Sequence, residues 1–281
     1  MRFPKENQVS TIVIKSKPKW QIVDLGELWR FRELFYIFTW RDIKVRYKQT
    51  VLGIAWVVFQ PLFTTFIFTL FFGRLAKIPS GSLPYEVFVL IGLVFWNFFS
   101  QAITRASSSF IENVSLLKKV YFPKEILPIS AGVTSFVDFI INFFVLLLVG
   151  LYFGFWPSIH ILYLLPICMF IIMISSSGIG LLLSSINVKY RDVRYILPFF
   201  IQLMLFLTPV IYPTSTLRDS IRFFFSFNPM TGVIESMRFA FGGSTYLDYK
   251  SLFIAIFVSI LFLMIGLVYF RLTERYFADI S

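Results

Sequence analysis

Apolar positions gather into six long runs, Val51–Gly73, Val87–Ile103, Ile126–Phe153, Ile159–Ile186, Ile196–Tyr212 and Leu252–Phe270. Short polar stretches, most of them basic, separate the runs. A helix needs about 20 mostly apolar residues to cross a hydrocarbon core of ~30 Å. Backbone groups in lipid must find their partners within the segment, so each run is expected to be a transmembrane α-helix. The second and fifth runs are short and the third and fourth long, which predicts tilt or overhang into the interface. The period-two alternation of a membrane barrel is absent.

The segments around the runs have patterns of their own. Residues 1–26 mix Pro, Lys, Ser and β-branched residues and are expected to be an extended arm. From Glu27 the period becomes helical. Leu28, Phe31, Phe35 and Phe38 fall within roughly 80° of one another at helical spacing. Residues 27–48 are therefore expected to form an amphipathic helix on the membrane interface, with Trp29 and Trp40 at headgroup level. The stripe is interrupted at Asp42 and Arg46. Residues 49–281 read as a single transmembrane domain. Pro61 should kink the first span, because it removes one helix hydrogen bond. Residues 213–248 contain "IRFFFSF" and "GVIESMRFAF", each too short to span, with Asn228–Pro229 as a turn between them. Two short re-entrant helices are expected there, or alternatively a small external lid.

Composition supports a membrane protein. Of 281 residues, 57% are hydrophobic and 15% charged, where a soluble domain carries roughly 25% charged residues. The net charge of +11 could signal nucleic acid, but its distribution excludes a single basic face. With the N-terminus inside, 20 of the 26 Lys and Arg fall on one side of the six runs. This places both termini in the cytoplasm. No secretory signal pattern is evident at the start. Cys168 is the sole cysteine and His160 the sole histidine, so no disulfide, zinc set or Ser-His-Asp triad can be assembled.

Little in the chain suggests catalysis. The acidic residues are dispersed, and no Gly-Lys pair of a phosphate-binding loop occurs. Asp138 is the one carboxyl well inside a run; it is expected to be structural, hydrogen-bonded near Asn142, with an ion-relay role as the alternative. Three basic stretches mix charge with aromatics: the opening segment, "ENVSLLKKVYFPKEILP" and "NVKYRDVRYILP". In the second, Asn113 is expected to cap a short helix ended by Pro123, with Val120, Tyr121 and Phe122 as an exposed apolar tip for a partner.

The blocks "WRDIKVRYKQTVLGIAWVVFQPL", "LLKKVYFPKEILP", "NVKYRDVRYILPF", "TPVIYP" and "NPMTGVIESMR" together resemble permeases of type-2 ABC exporters, in particular the Wzm-like polysaccharide branch with its capsule and teichoic-acid relatives. The resemblance covers nearly the whole chain. It implies an all-α integral membrane protein of six transmembrane helices in a bacterial inner membrane. It further implies a homodimer with two separate ABC ATPase subunits, which bind the ATP and Mg, so that this chain is no enzyme and holds no cofactor. The implied substrate is a polysaccharide carried on a polyprenyl diphosphate; teichoic acid, capsule or drug export, or an ion-coupled flippase, are the alternatives.

The resemblance also assigns residues. It makes Asn113, Leu116, Leu117, Lys118, Lys119, Val120, Tyr121, Phe122 and Lys124 the ATPase-coupling segment, and 27–48 the interface helix. Arg30, Arg41, Lys44, Arg46 and Lys48 are candidates for the lipid diphosphate, since guanidinium and ammonium groups hold phosphate oxygens by charge-assisted hydrogen bonds. Trp56, Phe59, Phe63, Phe199, Phe206 and Tyr212 are candidates for a channel lining, because aromatic rings offer rigid faces for sugars.

Overall fold

The computed structural model describes residues 25–48, 53–117, 119–190 and 192–279. Most of the expected N-terminal arm, together with Lys118, lies outside these residues. The described residues form helices and loops, with no strand among them. Two helices, α1 (Leu25–Arg30) and α2 (Arg32–Lys48), precede α3 (Gly53–Phe68). Helix α3 continues as a wider π-helix over Thr69–Leu75. Then come α4 (Tyr85–Glu112), the single turn α5 (Val114–Leu117), α6 (Ile126–Tyr152), α7 (Ile161–Lys189) and α8 (Val193–Leu207). Two short helices, α9 (Asp219–Ser226) and α10 (Pro229–Ala240), lead to the long α11 (Tyr249–Asp279).

Among the described residues, five helices are long and apolar enough to cross a membrane: residues 55–75, 85–112, 126–152, 161–189 and 249–273. The fifth expected run instead forms α8, 15 residues long and ending at Leu207, or about 22 Å at 1.5 Å per residue. Its last expected turn is absent: the chain leaves the helix at Thr208 and turns, and the carbonyls of Val210, Ile211 and Tyr212 are held by distant side chains. The second run extends beyond its expected end at Ile103, to Glu112. Thr104, Ser107, Ser108 and Ser109 donate to carbonyls three or four residues back, so polar residues sit in this helix without unsatisfied groups. Helix α3 passes through Pro61 unbroken, and its departure from α-geometry comes a turn or two later.

Helix α4 is the axis of the bundle. Its residues Val87–Val94 are apolar on every face and buried throughout, as an all-round hydrophobic helix must be when it is surrounded by others. Around it pack α6, α7 and α10. The bundle's basic end has its own apolar cluster of Phe38, Phe110, Phe122, Ile126, Leu127, Leu181 and Phe270. The stripe Leu28, Phe31, Phe35 and Phe38 is used here: it packs on protein and does not face outward. Trp29 and Trp40 on the opposite side are exposed. Helix α2 runs along α6 from the Phe38–Phe122 contact to Asp138, and does not lie flat across the end of the bundle.

Candidate functional site

At the basic end, the chain between α4 and α6 is built differently from the expected capped helix. The Asn113 side-chain amide donates to the Ser109 carbonyl at 2.8 Å, closing α4. Helicity lasts one turn, and Lys119–Pro123 has no regular structure. Phe122 turns inward and is 4% exposed, packing edge-on to Phe38 at 5.6 Å between ring centres. The exposed apolar tip is therefore Val120 and Tyr121, at 52% and 55%. Leu116 and Leu117 pack partly into the same cluster. Tyr121 donates to Glu27 at 3.2 Å, and Arg271 of α11 reaches Glu125 at 3.4 Å. The loop is thus braced from α1 and α11 at once. A shallow cleft of about 280 Å³ opens between Leu117, Lys119, Val120, Tyr121 and Lys124.

This division of labour has a measurable consequence. Phe122→Ala removes a buried ring and is expected to cost about 3–5 kcal/mol. Tyr121→Ala trims an exposed one and should change thermal stability by less than about 0.5 kcal/mol. Paired thermal unfolding curves in detergent would compare them.

Asp138 gathers more partners than the sequence suggested. It is 2% exposed and lies on α6 ~18 Å along the helix from Ile126. Its Oδ2 accepts from Arg46 at 2.6 Å and from Arg105 at 3.4 Å, while the Tyr47 hydroxyl donates to Oδ1. Asn142 is not among these partners, and its own amide oxygen is buried without a hydrogen bond. Burial, reinforced by Asp138, holds the Tyr47 hydroxyl above its ordinary pKa, so it remains a donor. Arg46, a diphosphate candidate, is committed to Asp138 and also approaches Gln101 at 3.4 Å. Arg41 pairs with Asp42 at 2.8 Å and stacks over Phe38. Arg30, Lys44 and Lys48 point outward and are exposed.

The far end is locked around Arg238, whose side chain is 2% exposed. Its guanidinium donates to Glu235 at 3.1 Å, to the Val210 carbonyl at 2.8 Å and to the Tyr212 carbonyl at 3.4 Å, and stacks 3.4 Å from the Phe88 ring centre. Tyr85 of α4 donates to the Ile211 carbonyl at 2.7 Å. Asn228 caps α10 through the Met230 amide and donates to Thr208 at 2.8 Å. The motifs "TPVIYP" and "NPMTGVIESMR" are therefore two halves of one hydrogen-bonded unit. Next to it, Asp248 caps α11 through the Ser251 amide at 3.2 Å and receives Arg222 of α9 at 3.1 Å.

Burial alone would raise the Asp248 carboxyl, but the Ser251 hydrogen bonds and the Arg222 charge outweigh it and hold the pKa below 3.8. A depressed folded pKa contributes stability above the ordinary value, and that contribution is lost as pH falls through the folded value. On acidification from about pH 6 to about pH 3, the wild type should lose more melting temperature than Asp248→Asn, which has no such carboxylate to protonate.

The channel-lining candidates separate into two groups. Trp56, Phe59 and Phe63 form a ladder on the exposed side of α3, with ring centres 5.9 and 5.5 Å apart. Phe199 and Phe206 are exposed on α8. Tyr212 belongs elsewhere: its hydroxyl donates to the Phe206 carbonyl at 2.9 Å and its ring meets Phe225, tying the loop after α8 to α9. A groove of about 710 Å³ between α4, α8 and α9, lined by Trp96, Phe99, Phe200 and Phe225 among others, was not foreseen.

Residues 33–241 match the family described as ABC-2 type transporter. The O-antigen export system permease protein RfbA of Klebsiella pneumoniae is 28% identical over 248 residues, 88% of this chain and 95% of that protein. The RfbA protein of Myxococcus xanthus is 29% identical over 255 residues, covering 90% and 97%. The polysialic acid transport protein KpsM of Escherichia coli is 22% identical over 242 residues, covering 84% and 91%.

Proposed function

The chain belongs to the ABC-2 type transporter family, and from that premise we propose that it is the membrane permease of an ATP-driven exporter of O-antigen-type polysaccharide. The observation that carries the proposal is the nearly end-to-end match to relatives named O-antigen export permeases. In this reading α8 and the five longer helices are six spans of the bacterial inner membrane, with both termini in the cytoplasm. Two copies enclose the path. The exposed aromatic faces of α3 and α8, both helices packed on the central α4, support that arrangement.

A separate pair of ABC ATPases supplies the energy, since the sequence carries no phosphate-binding loop. Their docking surface is the cleft at Lys119, Val120 and Tyr121, braced from behind by Phe122, Glu27 and Arg271. A loop fastened on several sides passes a push into α4 and α6 without deforming. The exported chain rides on a polyprenyl diphosphate, whose negative charge Arg30, Lys44 and Lys48 meet at the basic end. The likeness to the polysialic acid transport protein KpsM favours a second reading in which the cargo is a polysaccharide of that kind.

The test is co-purification with a candidate ABC ATPase, followed by an export assay with a Walker-motif variant of that ATPase. A stable complex should form, and the variant should stop export while lipid-linked glycan accumulates inside. Export that proceeds normally without any ATPase overturns the proposal. Lys119→Glu combined with Tyr121→Ala should leave the protein folded but reduce glycan exported per ATP about tenfold.

A further inference from the structure

We propose that Asp138 is a positioning residue of the transport cycle, fastening the end of α2 to α6 and α4 so that the three helices move as one body. The inference rests on the reading of this chain as a permease driven from its basic end.

Helix α2 packs along α6 and the loop before it, and two of its contacts differ in kind. Near the basic end, Phe38 packs on Phe122. An apolar contact of this sort is non-directional and permits sliding. At the other end the contact is directional, because both oxygens of Asp138 are engaged. Tyr47 donates to Oδ1, and Oδ2 takes Arg46 from α2 and Arg105 from α4. One carboxylate therefore joins three helices, one of which is the buried axis of the bundle.

Burial makes the joint stiff. Asp138 is 2% exposed, so water hardly competes for it. Separating the groups would leave the Asp138 carboxylate buried without compensation, while the half-buried Arg46 and Arg105 could turn to other partners. Buried ion pairs contribute little net stability compared with apolar packing, and their best-attested role is to fix register. Register is what a driven helix requires. If α2 slid along α6, motion delivered at the basic end would be dissipated at the Phe38 contact. With Asp138 in place, the same motion reaches α4 and α6 together. Helix α2 also touches α3, which carries the Trp56–Phe59–Phe63 ladder.

The experiment uses the full permease with its ATPase partner and compares wild type, Asp138→Asn and Asp138→Glu. Two readouts are taken: glycan exported per ATP hydrolysed, and amide hydrogen exchange along 32–48. Asp138→Asn should assemble and hydrolyse ATP at close to the wild-type rate, with export per ATP down about tenfold. Exchange should speed up about tenfold in 41–48 and less than about twofold in 32–38, which the Phe38 contact still holds. Asp138→Glu, which keeps the charge, should restore export per ATP to within about twofold of wild type. Unchanged exchange in 41–48 overturns the proposal, with or without transport data. A proportional loss of export and ATP hydrolysis also overturns it, since that is the signature of a structural defect alone. Failure of the wild type to bind or use any ATPase would instead sink the permease reading, while the exchange measurement still judges the Asp138 joint.

Discussion

Arg238→Met is expected to lower the stability of the folded chain by about 3–5 kcal/mol, the range for removing one partner from a buried charged network. Methionine keeps much of the stem and its apolar packing against Phe88, so the loss isolates the guanidinium. Without it, the carbonyls of Val210 and Tyr212 lose their donor and Glu235 keeps only the Thr214 amide. Thermal unfolding in detergent should show a drop of about 10 °C. Arg238→Lys should recover little of this, because one ammonium cannot span two carbonyls and a carboxylate with the geometry of a planar fork. A melting temperature within about 2 °C of wild type for Arg238→Met would mean that the far-end unit is held by packing and that these hydrogen bonds are incidental.

The same unit shows where sequence pattern stops being informative. The apolar run 196–212 has the composition of a span, and nothing local says that it ends at Leu207. What ends it is Arg238 and Tyr85, which hold the carbonyls after Thr208 from 26 or more residues away. Asp138 is a similar case. Its isolation within an apolar run was legible, but Tyr47 lies 91 residues earlier, and no periodicity links the two. One signal was available: Arg46 interrupts the apolar stripe of its own helix, and a charge misplaced on one helix is a reason to look for a buried opposite charge on another. Phe122 was misjudged for a related reason. Three consecutive apolar residues in a loop cannot all face outward, and the sequence does not say which one turns in.

Features governed by short-range physics were legible. The long helices lie within a few residues of the apolar runs, apart from the extension of α4 and the overhang of α11. Asn228–Pro229 separates α9 from α10 as its turn chemistry requires, with Asn228 as the cap and Pro229 as the first helical residue. The candidate site was legible as a region. Residues 113–117 and 119–124 form one braced feature at the basic end, although Asn113 and Phe122 within it are turned to the protein.

Gly178→Leu should prevent recovery of folded protein. Helices in lipid gain no hydrophobic drive from meeting one another, so their association depends on close backbone approach at small residues. Helices α7 and α11 approach in this way. A Cβ on Gly178 would sit 2.5 Å from the Leu263 amide nitrogen and the Phe262 carbonyl, and one on Gly266 would overlap the carbonyl oxygen of Gly178. These are backbone atoms, which cannot rotate aside as a side chain can. The cost should exceed the ~1–3 kcal/mol of ordinary overpacking, because relief requires separating two membrane helices along their length. Gly132→Ala supplies the control. Its nearest neighbour would be the Ala102 carbonyl at 3.9 Å, ordinary contact distance, and alanine is the better helix former by ~1 kcal/mol. Monodisperse protein from Gly132→Ala and aggregated or degraded protein from Gly178→Leu, read by fluorescence-detected size exclusion, is the expected pair. Well-folded Gly178→Leu would show that α7 and α11 are held apart by more than the structure indicates, and that the crossing contributes little to holding the bundle together.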